Sequence, residues 1–289
     1  MKTIPEPVAK AVRQQFGTDL QFAFAGWPHG QSLMWKATGE GGRVVYAKVH
    51  AEPYLYERHI AAFRDWVPQL PCSTPELLLA DQEHLLMVFE QLDGVPLETA
   101  FVSQQTELEA YRIAGRVAKA FHDIEPERTE KVWSAANAAR SRMERFITMS
   151  EDTLDPELLS WVKAVLPETE LFRGEQRVPC HRDYSPRNWL VSDTSGGLQW
   201  SLIDFERARL DLKYADFQRM WPDAWKGRPD RRAAFFEGYG VDLSSDEEKR
   251  LKITVLANCL GTIPWAVANN DPAFGQWALD TLKELREKW

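Results

Sequence analysis

Cysteine is scarce in this 289-residue chain: Cys72, Cys180 and Cys259 form an odd, scattered set without C-x-x-C spacing. That pattern excludes a disulfide framework and offers no zinc ligand set, so the thiols are expected to be buried. No apolar run approaches the length needed to cross a bilayer. Met1-Lys2-Thr3-Ile4-Pro5 also lacks the apolar core and small-residue cleavage site of a signal peptide, so a cytoplasmic location is expected. Basic charge is in deficit, with 35 Lys and Arg against 43 Asp and Glu and a net charge of −8. This balance argues against nucleic acid or an anionic membrane as the main partner and is compatible with a cationic ligand. Internal repeats and low-complexity tracts are missing too. What is present is 44% apolar content, enough to bury the core of one large domain or two lobes.

The chain opens with a helical stretch around Pro5 to Phe16 and a short strand-like run, Gln21 to Ala25. Met34 to Thr38 and Arg43 to Val49 flank Gly39-Glu40-Gly41-Gly42 and read as a hairpin. From Pro53 to Trp66, Leu55, His59, Ile60, Phe63 and Trp66 recur at helical spacing, and Pro68 and Pro71 end the pattern. Leu77-Leu78-Leu79 and Leu85 to Phe89 read as two further strands. The strand pattern stops at the turn Asp93-Gly94-Val95-Pro96, which places a lobe boundary after Leu92. Beyond it, Glu107 to Ile124, Ser134 to Ser150, Pro156 to Val165 and most of the chain from Leu212 on read as helix. Trp189 to Val191 and Trp200 to Ile203 read as a strand pair joined at Gly196-Gly197. The expected fold is α+β and bilobal: a small β-rich N-lobe with one main helix (1–92) and a larger helical C-lobe (93–289).

The chemistry is concentrated in Cys180-His181-Arg182-Asp183-Tyr184-Ser185-Pro186-Arg187-Asn188 and, after the strand pair, Leu202-Ile203-Asp204-Phe205-Glu206. Phosphoryl transfer needs a carboxylate to orient the attacking hydroxyl and accept its proton, and hard oxygen ligands for a Mg²⁺ ion bridging the phosphates. Asp183 suits the first task, and Asn188 and Asp204 the second. Either motif alone could occur by chance, but both, in order, with apolar strands between them, point to a built site.

Here the sequence resembles the aminoglycoside phosphotransferase and choline kinase family, the small-molecule branch of the protein-kinase-like superfamily, over nearly the whole chain. The protein-kinase signature is H-R-D-L-x-x-x-N with D-F-G, whereas this chain has Asp204-Phe205-Glu206. The resemblance implies a protein-kinase-like fold, ATP or GTP and Mg²⁺ as cofactors, and a small-molecule hydroxyl acceptor: an aminoglycoside-like or other antibiotic, an amino alcohol, a nucleoside or a sugar. It also implies that Lys48, inside an apolar strand, pairs with Glu57 and holds the nucleotide phosphates. Gly30 and Ser32, in a loop that departs from G-x-G-x-x-G, would approach the phosphates. Glu90 and Leu92 would meet the adenine through their backbone, with Ile203 beside the nucleotide. Asp216 would brace the catalytic loop from the following helix.

Two other readings compete. A protein kinase is disfavoured because little chain separates Asp204 from Asp216 and no Ala-Pro-Glu motif is present. A regulatory nucleotide-binding pseudokinase has no need of a base, yet Lys48, Asp183, Asn188 and Asp204 all stand in place. Tryptophans 221, 225, 265, 277 and 289 and acids such as Asp223, Asp242 and Asp271 could contact an acceptor, but the sequence does not choose among them.

Overall fold

In the computed structural model, which describes residues 2–26, 32–125, 135–194 and 197–289, proline and short polar residues set most of the helix starts. Helix α1 (Glu6–Phe16) follows Pro5. Strands β1 (Gln21–Phe24), β2 (Ser32–Thr38) and β3 (Val44–His50) precede α2 (Pro53–Asp65), and β4 (Leu77–Asp81), β5 (Leu86–Glu90) and the short β6 (Val95–Pro96) follow it. Next come α3 (Gln104–His122), α4 (Ala135–Ser150), α5 (Pro156–Val165), β7 (Val178–Cys180), β8 (Trp189–Thr194), β9 (Gly197–Leu202) and β10 (Arg209–Asp211). Helices α6 (Tyr214–Phe217), α7 (Pro229–Tyr239), α8 (Ser245–Ala268) and α9 (Pro272–Glu287) complete the chain. Asp155 caps α5, Asp271 caps α9, and Ser244 with Glu247 forms a capping box at α8.

The first compact unit comprises Met1–Ala110 and Pro186–Arg209. Its five-stranded antiparallel sheet runs β1-β2-β3-β5-β4. Because side chains alternate along a strand, the central strands bury both faces. Val45 and Ala47 of β3 and Leu86 and Val88 of β5 pack with Val8 and Val12 of α1. Met87 and Phe89 face the other way, against Tyr56, Ile60 and Phe63 of α2. By the same alternation Lys48 and His50 point to the α2 side.

The second unit comprises Tyr111–Ser185 and Leu210–Trp289 and is largely helical. Its core is aromatic: Phe217, Trp225, Phe235, Phe236 and Tyr239 pack on one another, mostly edge-on or tilted, at centroid distances of 5.3 to 6.3 Å. Helices α3 and α7 touch backbone to backbone. A Cβ on Gly115 would run into the Phe235 carbonyl, and one on Gly238 into the Arg112 carbonyl.

Two features go beyond what the sequence expected. First, residues 186–209 join the first unit although they lie far downstream. The reason is strand pairing: β6 pairs with β8 through Val95↔Val191 and Pro96↔Leu190, and Leu202 N–H donates to the Ser73 carbonyl at 3.0 Å. Gly94 makes this possible, since its φ of +111° and its approach to Val191 leave no room for a Cβ. Secondly, α8 is long and apolar enough in composition to pass for a membrane span. Leu251, Ile253, Val255, Leu256, Cys259, Leu260 and Ile263 are nevertheless buried, which marks it as a core helix of its unit.

Candidate active site

Lys48 lies in the middle of β3, and only 6% of it is exposed. An ammonium there needs anionic partners, and it has two: Asp204 Oδ1 at 2.6 Å and Glu206 Oε2 at 2.8 Å. Burial by itself pulls the Lys48 pKa down, but the two carboxylates outweigh it and hold the group above the usual lysine value. Glu206 also accepts a 2.7 Å hydrogen bond from Ser32 Oγ. Asp204 adopts a left-handed backbone, φ +69° and ψ +63°, a conformation that costs a non-glycine residue about 1 kcal/mol and persists where its surroundings enforce it.

Asn188 reaches the same neighbourhood through sheet register. Trp189 faces Leu202 across the β8–β9 pair, and the Asn188 carbonyl accepts the Ile203 N–H at 3.1 Å. Asn188 and Asp204 therefore leave this hairpin at the same end. Hard oxygens from Asp204, Glu206 and Asn188 are the donor types that Mg²⁺ takes. One ammonium against two carboxylates leaves a negative charge that a divalent cation would balance, so the residues present fit such an ion.

Other expected residues fare differently. Glu57 is not the partner of Lys48: it is exposed on α2, and no contact joins the two among the described residues. The helix turns Leu55, Tyr56, His59 and Ala62 inward, so position 57 faces outward. Ser32 lies in the site, with its hydroxyl given to Glu206. The Glu90 N–H is bound to the Glu76 carbonyl at 3.0 Å, which removes it as a donor to a base. Leu92 follows β5, half-buried, and its backbone N–H makes no hydrogen bond among the described residues. Gly30 lies outside the described residues.

In the second unit, Asp183 is buried at 6% exposure. Its N–H donates to His181 Nδ1 at 3.3 Å, which requires that ring nitrogen to carry its lone pair. The loop is anchored by Asp216, whose carboxylate accepts the N–H groups of His181, at 3.0 Å, and of Arg182. Asp216 also meets His122 Nε2 at 3.1 Å, and His122 Nδ1 lies 2.9 Å from the Tyr239 hydroxyl. Arg182 is held at φ +66°, with its guanidinium 2.9 Å from Asp211. The donor atoms of His122, Cys180 and Asp216 lie within 4.8 Å of one another. Burial pushes the Cys180 thiol well up, and the Asp216 carboxylate is committed to backbone donors, so this cluster serves as a brace.

Sequence reasoning missed Glu206 as a partner of Lys48, although its signal, a second acid two residues after Asp204, was visible. It could not have found His122 or Tyr239, which lie far from Asp216 in the chain and carry no local motif. The acids considered for an acceptor have local partners: Asp223 accepts Trp277 Nε1 at 2.7 Å, Asp242 pairs with Arg232 at 3.1 Å, and Asp271 caps α9.

Comparison with known proteins is consistent with this arrangement. In fold the chain is similar to the GDP and kanamycin complex of APH(2")-IIia, with a TM-score of 0.78 and 13% identity over 98% of this chain and 99% of that one. It is also similar to the macrolide 2'-phosphotransferase MphH from Brachybacterium faecium, with a TM-score of 0.67 and 18% identity over 96% and 98%. The gentamicin complex of APH(2")-IIa matches with a TM-score of 0.71 and 14% identity over 98% and 97%. Such distant likenesses show the kinase-like fold. No curated protein matches the sequence. The model of the phosphotransferase enzyme family, in contrast, matches residues 27–253, most of the chain. The chain with its Lys48–Asp204–Glu206 cluster and Asp216-braced loop therefore belongs to the phosphotransferase enzyme family.

Proposed function

We propose that this enzyme transfers the γ-phosphate of ATP or GTP to a hydroxyl group of a small molecule, in the cytoplasm and with Mg²⁺. The observation that carries this reading is the charge inventory around Lys48: a buried ammonium with two carboxylates, and Asn188 leaving the same end of the β8–β9 hairpin as Asp204, a set suited to a metal-bound triphosphate. Lys48 holds phosphate oxygens, and Asp204 and Asn188, with Glu206, would hold the Mg²⁺. Bound there, the ion would neutralise charge on the phosphates. Asp183 orients the acceptor hydroxyl and takes its proton as the oxygen–phosphorus bond forms. The bond from the γ-phosphorus to the bridging oxygen breaks, and the nucleoside diphosphate leaves.

Kanamycin, gentamicin and macrolides belong to the similar enzymes and supply the first acceptors to try. The net charge of −8 favours a polyamine-like acceptor over an anionic one. Both GDP and ADP complexes exist among the similar structures, so both triphosphates belong in the assay. The test incubates purified protein with MgATP or MgGTP and a panel of aminoglycosides, macrolides, amino alcohols, nucleosides and sugars, following diphosphate release and the mass of the acceptor. Acceptor-dependent turnover with a phosphorylated product supports the reading. Nucleotide binding without turnover on any acceptor would point to a regulatory module, and phosphate on protein substrates to a protein kinase.

A further inference from the structure

The Lys48 cluster is one arc of a closed ring of contacts that begins and ends on β3. Lys48 and His50 are two residues apart and share a face of the sheet. His50 Nε2 lies 2.9 Å from His59 Nδ1 on α2, and both rings are buried at 2% exposure. His59 packs edge-on to Phe63 one turn later, at 5.3 Å between centroids, and Phe63 packs edge-on to Phe205 at 5.7 Å. Phe205 sits between Asp204 and Glu206, the two residues that hold Lys48.

The hydrogen-bond chemistry fixes the direction of this link. His50 Nδ1 lies 3.0 Å from the Leu85 carbonyl, which can only accept, so His50 donates from Nδ1. A neutral His50 then presents a lone pair at Nε2, and His59 donates to it from Nδ1. Leu85 accepts the His50 backbone N–H as well, also at 3.0 Å, and it is held at φ +50°. Leu85, Arg182 and Asp204 are three of the four non-glycine residues at positive φ among those described. A leucine in that conformation persists only where its surroundings enforce it, and here it supplies the anchor of the histidine pair.

We propose that His59, reached through His50, is a positioning residue for phosphoryl transfer: it docks α2 to β3 and thereby sets Asp204-Phe205-Glu206 against Lys48. It joins α2 to β3, where the resemblance implied that Glu57 of the same helix would pair with Lys48. A neutral imidazole does this without adding a third carboxylate to Lys48, which leaves the ammonium to Asp204, Glu206 and an incoming phosphate. This inference rests on the nucleotide reading of the Lys48 cluster.

The test compares His59→Leu, which removes the donor, with His59→Asn, whose amide N–H stands near the position of Nδ1. His59→Leu should weaken MgATP or MgGTP binding about tenfold, as loss of one buried hydrogen bond predicts, and His59→Asn should stay within about threefold of the parent. In parallel, acylation of Lys48 by an amine-reactive ester, read by peptide mass spectrometry, should be several-fold faster in His59→Leu and unchanged in His59→Asn. Equal behaviour of the two variants, or parent-like binding and acylation in His59→Leu, overturns the inference. If the parent protein binds neither nucleotide, the functional reading fails and the acylation comparison still decides the positioning role. Should His59→Leu not fold, Phe63→Leu, which keeps both histidines and removes the ring that His59, Phe89 and Phe205 pack against, must raise Lys48 acylation in the same way.

Discussion

The carboxylate of Asp216 accepts the backbone N–H of Arg182, a non-glycine residue held in the left-handed region one position before Asp183. A side chain thus sets the backbone conformation that presents the proposed base. Asp216→Asn keeps one acceptor oxygen but turns an amide N–H₂ toward a backbone donor. Stability should fall by about 2 kcal/mol, as hydrogen bonds to a charged group imply. Turnover should fall about a hundredfold, because a displaced base loses its geometry. Thermal unfolding and steady-state kinetics measure both, and a stable, fully active variant would show that the loop holds itself.

Asp183→Asn removes the proton acceptor and keeps the shape. Turnover should drop by about 10³-fold or more, within the range for loss of a general base, while nucleotide affinity measured by titration calorimetry stays unchanged. Parent-like turnover would remove Asp183 from the role.

Removing Lys48 leaves Asp204 and Glu206 facing each other as like charges. Lys48→Ala should therefore weaken nucleotide binding and lower the rate, and because a buried pair is broken it should also destabilise the fold by about 3 kcal/mol. The check is denaturant unfolding beside nucleotide titration. Since the pKa of Lys48 is raised on folding, its stabilising contribution is present at neutral pH and is lost only as pH rises through the alkaline range.

Glu247 shows the opposite sign. Burial pushes its carboxyl up, but the Lys213 ammonium at 2.5 Å and the Ser244 N–H and hydroxyl, both at 2.9 Å, outweigh burial and hold it down to about 2. A depressed carboxyl contributes stability above the usual glutamate pKa and loses it as pH falls toward about 2. Glu247→Gln should thus cost about 2 kcal/mol at pH 7 and close to nothing near pH 2. Unfolding midpoints at several pH values would show the two curves converging, and parallel curves would rule out the ion pair and cap as the cause.

Gly115 and Gly238 let α3 and α7 meet without side chains between them, next to the Tyr184 hydroxyl that donates to the Ala114 carbonyl at 2.7 Å. Gly115→Ala should cost about 3 kcal/mol by overpacking backbone against backbone. It should also disturb the contact of His122 with Tyr239, so the melting temperature and the turnover should fall together.

Much of the molecule was legible along the chain because its signals are local. Short, nearly continuous apolar runs specified β3 and β5, prolines marked helix boundaries, and the two acidic motifs stood out because phosphoryl transfer requires those side-chain types at short spacing. Register carried further: once Trp189 faces Leu202, Asn188 and Asp204 must leave the hairpin together.

The sequence by itself determined most of the longer elements, though not the short strands β6, β7 and β10, together with the phosphotransferase chemistry and Lys48, Asp183, Asn188 and Asp204 as its candidates. Only the tertiary structure decided who pairs with whom. Helix phase turned Glu57 outward and His59 inward, and long-range strand pairing moved residues 186–209 into the first unit. Folding also brought His122 to Asp216 across 94 positions. A spacing rule reaches only as far as one helix or one hairpin. Partners beyond that distance are chosen by packing, where burial penalises every charge and polar group that arrives without a complement.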